Sequence, residues 1–127
     1  MSEQQSTDYK DLFYQSEDGL TLYARDYPAP SPDAQCVLLM HGLSRNSRDF
    51  EVIADHLSTR YRVLVAEQRG RGKSEWDTDP TRYAIPYYVR DMFALLQAAN
   101  VSRVATVGTS MGGLCLLYTS DAADEGH

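Results

Sequence analysis

One serine stands out in this chain, within Gly108-Thr109-Ser110-Met111-Gly112-Gly113. The segment follows the apolar run Val104-Ala105-Thr106-Val107, so it reads as a strand ending in a G-x-S-x-G turn, a nucleophile elbow. At such a turn the serine backbone is strained and its hydroxyl is lifted clear of the sheet. Side chains two residues away on either side would collide, which favours glycine at Gly108 and Gly112. Met111 to Leu114 would open a helix, whose first N–H groups point at the place where negative charge develops in acyl transfer.

A second donor to that charge is expected from His41-Gly42-Leu43, at the end of another apolar strand. Gly42 lets the chain bend, so that the Leu43 and Met111 N–H groups form an oxyanion hole. His41 reads as a loop residue held by hydrogen bonds rather than as the base. A serine nucleophile also needs a base and an orienting acid. Asp121, Asp124 and His127 stand in the right order after Ser110, but the gap leaves no room for a crossover and its strand. They are assigned no role, and the acid and base are read as absent from this chain.

Arg69-Gly70-Arg71-Gly72-Lys73-Ser74 invites another chemistry, since Gly72-Lys73-Ser74 matches the end of a phosphate-binding P-loop. That motif wants glycine where Glu67 stands, and a carboxylate there would repel phosphate. A tight structural loop, pinned by arginine to neighbouring carbonyls, is the preferred reading. A nucleotide-binding P-loop is the lesser alternative.

The elements that must position these groups follow from periodicity. Residues 11–15 and 20–27 are strand-like around a turn at Glu17-Asp18-Gly19, and Leu20, Leu22 and Ala24 alternate with polar neighbours. Residues 36–40 are continuously apolar, as in a strand covered on both faces. Asn46 or Ser47 can cap a helix with Asp49 and Glu51 in its first turn, whose buried face is Phe50, Ile53, Ala54 and Leu57. Residues 62–66 form the next strand, and 76–84 are irregular. Pro86 suits a helix start, followed by the stripe Val89, Met92, Phe93, Leu96 and Ala99. Residues 103–107 form the strand that delivers Ser110. This alternation predicts an α/β fold with an antiparallel hairpin at its start, then parallel strands with crossover helices.

At 127 residues the chain is one domain or part of one, and 43% hydrophobic content suits a packed core. A net charge of −6 argues against nucleic acid or an anionic membrane surface as partner. No signal-like or membrane-spanning stretch is visible, and two cysteines make no disulfide framework, so a cytoplasmic location is expected. His41, His56 and His127 show no metal-ligand spacing with Cys36 or Cys115, so neither metal nor cofactor is expected.

Together, Leu39-Met40-His41-Gly42-Leu43, Glu67-Gln68-Arg69-Gly70-Arg71-Gly72-Lys73-Ser74 and Val107-Gly108-Thr109-Ser110-Met111-Gly112-Gly113 are similar to the α/β-hydrolase superfamily, in its esterase, lipase and haloperoxidase-like branch. The resemblance covers roughly residues 10 to 114, the N-terminal half of that fold, truncated after the elbow. Family members usually carry aspartate where Glu67 stands. The resemblance implies a serine hydrolase acting on a small-molecule ester-like substrate through an acyl-enzyme on Ser110, with this chain alone inactive. Serine at the elbow argues against the dehalogenase and epoxide hydrolase branches. A non-catalytic small-molecule receptor on the same fold is the other alternative. Residues 1–9 are expected to be disordered and 10–114 a partial hydrolase domain. Residues 115–127 resemble a translated sequencing-library adapter and are expected to be a non-native tail.

Overall fold

A computed structural model describes residues 8–40 and 51–108, with backbone only for Val107 and Gly108. The elements in chain order are β1 (Lys10–Gln15), β2 (Thr21–Tyr27), β3 (Cys36–Met40), α1 (Glu51–Leu57), β4 (Arg62–Glu67), a 3-10 turn (Pro80–Arg82), α2 (Ile85–Ala98) and β5 (Ala105–Gly108). They form one five-stranded sheet in the order β1-β2-β4-β3-β5. The hairpin β1-β2 is antiparallel, β2 joins β4 antiparallel, and β3 runs parallel to both β4 and β5. The expected architecture is therefore present, with strand ends shifted by one or two residues.

Strands β3 and β4 explain the continuous apolar runs. Side chains alternate between the two faces of a strand. Leu38, Met40, Leu64 and Ala66 pack with Tyr88, Met92, Leu95 and Leu96 of α2. Val37, Leu39, Val63 and Val65 pack on the opposite face with Ala54 and Leu57 of α1. Both faces are covered, so polar alternation is lost. The same happens at β2, where Leu22, Tyr23, Ala24 and Arg25 are all buried although alternation was expected. Tyr23 lies under Phe13 and the Lys73 ammonium, and Arg25 lies under Tyr9 and pairs with Glu51.

Both helix faces differ from expectation. In α1, Ala54 is buried and Leu57 partly so, but Ile53 is 47% exposed, while Asn46, Ser47, Asp49 and Phe50 lie outside the described residues. The core face there runs through Ala54, Leu57 and Tyr61, and Ile53 sits one position to its side. In α2 the buried face is Tyr88, Asp91, Met92, Leu95 and Leu96, with Val89 and Phe93 only half-buried. The expected stripe missed Tyr88, Asp91 and Leu95, because a carboxylate interrupts the apolar pattern. Pro86 stands at the start of α2 as expected. The helix closes with Asn100 at φ 59°, and the N–H groups of Val101 and Asn100 donate to Leu96 O (2.8 Å) and Gln97 O (3.1 Å). Among the described residues no helix is long and apolar enough to cross a membrane.

Candidate active site

Parallel strands present their carboxyl ends on one edge of a sheet, and in open α/β sheets ligands bind outside that edge. Here β3 and β5 are neighbours in register, Leu38 opposite Thr106, Leu39 opposite Val107, and Met40 opposite Gly108. The two motif segments predicted to make the site therefore begin at paired positions, His41 after one strand end and Thr109 after the other. Gly108 is the last described residue. His41, Gly42, Leu43, Ser110, Met111 and Gly112 lie outside the described residues, as do Asp121, Asp124, His127 and the whole 115–127 tail.

The third motif, at the carboxyl end of β4, is fully described. Glu67 is buried, and its Oε1 accepts the Lys73 N–H at 2.7 Å. The Ser74 hydroxyl donates to Glu67 O at 2.6 Å and accepts the Tyr23 N–H at 2.9 Å, which stitches the loop to β2. Gly72 has φ +52°, and a Cβ there would run into the Glu67 carboxylate. Glycine is thus required at Gly72 on two counts, conformation and space. The loop supplies its own anion, Ser74 is spent on backbone contacts, and the Lys73 ammonium lies 4.9 Å from the Tyr23 ring centroid. Those contacts occupy the groups a P-loop would turn toward phosphate.

Arg69 does more than the sequence implied. The loop was expected to be pinned by arginine to neighbouring carbonyls, and Arg71 Nη1 does donate to Gly70 O at 3.3 Å, whereas Arg69 reaches three carboxylates from distant parts of the chain. Asp91 on α2 accepts from Nε at 2.8 Å and Nη2 at 2.7 Å, a bidentate pair. Asp77 accepts from Nη1 at 3.0 Å, and Asp18 of the hairpin turn accepts from Nη1 at 3.0 Å and Nη2 at 3.1 Å. Arg82 adds a second cation, bound to both Asp77 oxygens at 2.7 and 3.0 Å. The Arg69 side chain is 1% exposed and those of Asp77 and Asp91 are 2% exposed.

Buried charges persist only when paired and hydrogen-bonded, which accounts for this convergence. Hydrogen bonds from Arg69 hold Asp18 well below the usual carboxylate range. Those from Arg82 bring Asp77 down to about 2. Burial pushes Asp91 upward, against the pull of Arg69. The one signal for this network in the sequence was Asp91 interrupting an apolar helix face. Among the described residues no group of His, Cys, Asp and Glu is arranged to hold a metal ion.

These features have a known counterpart. Residues 35–125 match the α/β hydrolase fold. The chain belongs to that family. A 3-hydroxybutyrate-oligomer hydrolase of Cupriavidus necator is 49% identical over 74 residues, which is 58% of this chain and 25% of that relative. A solved α/β hydrolase from Novosphingobium aromaticivorans is 40% identical with a TM-score of 0.86, covering 91% of this chain and 40% of that one. An esterase from Exiguobacterium antarcticum is 28% identical with a TM-score of 0.77, covering 87% of this chain and 39% of that one. This α/β hydrolase thus spans a quarter to two-fifths of the relatives it resembles, and they include hydrolases and an esterase.

Proposed function

We propose that this chain carries the nucleophile half of a serine hydrolase acting on an ester-like acyl bond. Ser110 Oγ attacks the carbonyl carbon, and the tetrahedral oxyanion is held by the N–H groups of Leu43 and Met111. Collapse expels the alcohol and leaves an acyl-enzyme, which water then hydrolyses. The acid and the base are not assigned to any of the 127 residues, so the chain alone is expected to turn over no ester. The observation that supports this reading is the Met40–Gly108 register, which starts both motif segments side by side at the carboxyl edge. The identity with a 3-hydroxybutyrate-oligomer hydrolase favours short oligoesters of hydroxy acids as the substrate class.

The test is to sequence the gene across the Leu114 codon and express the full-length product. Its turnover is then measured on p-nitrophenyl acetate and on a linear trimer of 3-hydroxybutyrate. Hydrolysis that falls by about three orders of magnitude or more in Ser110→Ala supports the reading. Full turnover in Ser110→Ala overturns it.

A further inference from the structure

Residues 76–82 lead from the β4 loop toward α2, and charge does most of the work of holding them. Glu75, just before them, is fixed: its N–H donates to Thr21 O at 2.9 Å and its carbonyl accepts the Gly70 N–H at 2.9 Å. Tyr83, just after them, packs against the core under α2. Between these two ends the bonding is local. The Arg82 N–H donates to Asp79 O at 3.1 Å, the Asp79 N–H to Asp77 Oδ1 at 2.9 Å, and the Thr81 N–H to Asp79 Oδ1 at 3.0 Å. The Tyr83 hydroxyl accepts the Asp77 N–H at 2.7 Å and donates to Asp77 O at 3.1 Å. Asp77 is the one buried residue of the stretch.

Among the described residues two ion pairs tie the stretch to the rest of the fold, Asp77 Oδ2 with Arg69 Nη1 at 3.0 Å and Arg82 Nε with Asp18 Oδ2 at 3.6 Å. The pairs of Arg82 with Asp77 and Asp79 lie inside it. Breaking a buried pair is costly when it strands a charge, and here it strands none. When Asp77 leaves, Arg69 keeps two bonds to Asp91 and two to Asp18. Asp77 takes Arg82 with it, so the departing pair is neutral and reaches water together. Little apolar surface is uncovered, since Thr78, Pro80 and Thr81 are exposed already. The location gives the movement a meaning. Strand β2 runs antiparallel to β4 with Tyr23 opposite Glu67, so Thr21 lies beyond the carboxyl end of β4. Through Glu75 the stretch starts at that edge, where open α/β sheets bind ligands.

We propose that residues 76–82 are a strap that opens and recloses as one unit at the carboxyl edge, latched by the contact of Asp77 with Arg69 and hinged at Glu75 and Tyr83. The strands, α2 and the Arg69–Asp91 pair stay closed throughout. Openings of this kind cost far less than global unfolding, so backbone at the edge moves while the sheet keeps its register.

Trypsin reads the latch, because Arg82 must release Asp77 before its guanidinium can enter a protease pocket. The full-length product is digested under native conditions, with initial cutting followed by mass spectrometry. Cutting after Arg82 is compared with cutting after Arg62, which requires β4 to leave the sheet. In wild type the Arg82 cut is at least about ten-fold faster, and low urea accelerates only the Arg62 cut. Asp77→Asn raises the Arg82 cut about ten-fold, the loss of one charged hydrogen bond. Val37→Ala, in the core between the sheet and α1, raises the Arg62 cut and leaves the Arg82 cut within about two-fold. Equal rates and equal urea dependence of the two cuts in wild type overturn the proposal, and this comparison stands even where a variant fails to fold. An Arg82 cut that rises under Val37→Ala as much as the Arg62 cut overturns it too. So does an Arg82 cut that stays within about two-fold under Asp77→Asn.

Discussion

Two arginines clamp opposite edges of the same sheet, and only one of the two guanidinium groups is itself open to water. Arg62 opens β4 at the amino edge, with Nε and Nη2 on the two oxygens of Asp26 at 3.0 and 2.8 Å and Nη1 on Ala99 O at 2.8 Å. Its side chain is 24% exposed and that of Asp26 is 16% exposed. Arg69 lies just past the other end of β4, itself 1% exposed, with Asp77 and Asp91 buried beside it and Asp18, 23% exposed, on the outer side. Each arginine is bidentate on one carboxylate through Nε and Nη2, but Arg62 adds one bond, to Ala99 O, where Arg69 adds three, to Asp77 and Asp18. A further difference is solvent, which screens and competes at Arg62 but reaches the Arg69 cluster only at Asp18, not at the Asp91 pair. Bond lengths are therefore a poor guide to the weight of the two clamps; burial of the arginine and the number of carboxylates it must satisfy separate them.

The comparison is sharpest if the arginine is removed at the buried end. Arg69→Ala in the full-length protein leaves Asp91 as an uncompensated buried carboxylate, and is expected to cost about 3–5 kcal/mol. Replacing both ends of that pair with apolar residues, Arg69→Met with Asp91→Leu, should recover much of the loss, because desolvation and attraction are removed together. Urea unfolding measures both. A loss under about 1 kcal/mol for Arg69→Ala, the range of exposed pairs, would erase the distinction between the two edges.

The adjacent glycine tests the support of the same edge without touching charge. Gly72→Ala must hold a side chain at φ +52° and push the Glu67 carboxylate off the Lys73 N–H. About 2 kcal/mol is expected from strain and the displaced bond together. A melting temperature unchanged from wild type would mean that the loop re-forms freely.

Acid acts on the Arg69 cluster through its carboxylates. Asp18 and Asp77 are held below their unfolded values, so the folded state binds fewer protons than the unfolded one. Their contribution is complete above the unfolded carboxylate value, about 4, and is lost as pH falls toward about 2. Asp91, pushed up by burial, has the opposite slope at higher pH, taking its proton in the folded state first. Stability should accordingly hold or rise slightly on acidification from neutrality and fall only below about pH 4. A steady decline beginning near neutrality would contradict these assignments.

How much of this was legible beforehand follows from where each signal resides. Strand β3 was readable to the residue, because Cys36–Met40 is buried on both faces and nothing polar interrupts it. The hairpin and the strand-to-helix alternation were readable for the same reason, each being a local pattern. Helix α2 was readable in extent but not in face. Asp91 looks solvent-facing until Arg69, 22 residues earlier, is brought beside it by the sheet. Asp18 pairs with Arg69 from 51 residues away, across a β2-β4 contact that no local pattern reveals. For the site, the motifs named Ser110, Leu43 and Met111, and the Met40–Gly108 register was not foreseen. Residues 76–82 were passed over as part of an irregular stretch, since the charges that hold them come from Arg69 and Asp18.

The smallest effect is expected at the wet edge. Arg62→Ala removes a bidentate pair and a bond to Ala99 O, yet water can reach the Asp26 carboxylate left behind. The expected loss is about 1 kcal/mol, near the upper end for partly exposed pairs. Half of it should vanish in about 1 M salt, where the screening length shrinks to roughly 3 Å. Arg69→Ala should by contrast keep most of its cost at that salt, since the Asp91 carboxylate it leaves unpaired is 2% exposed and ions do not reach it. Equal salt sensitivity of the two variants would show that both clamps are hydrated, and that the contrast between the edges lies in contact number rather than in burial.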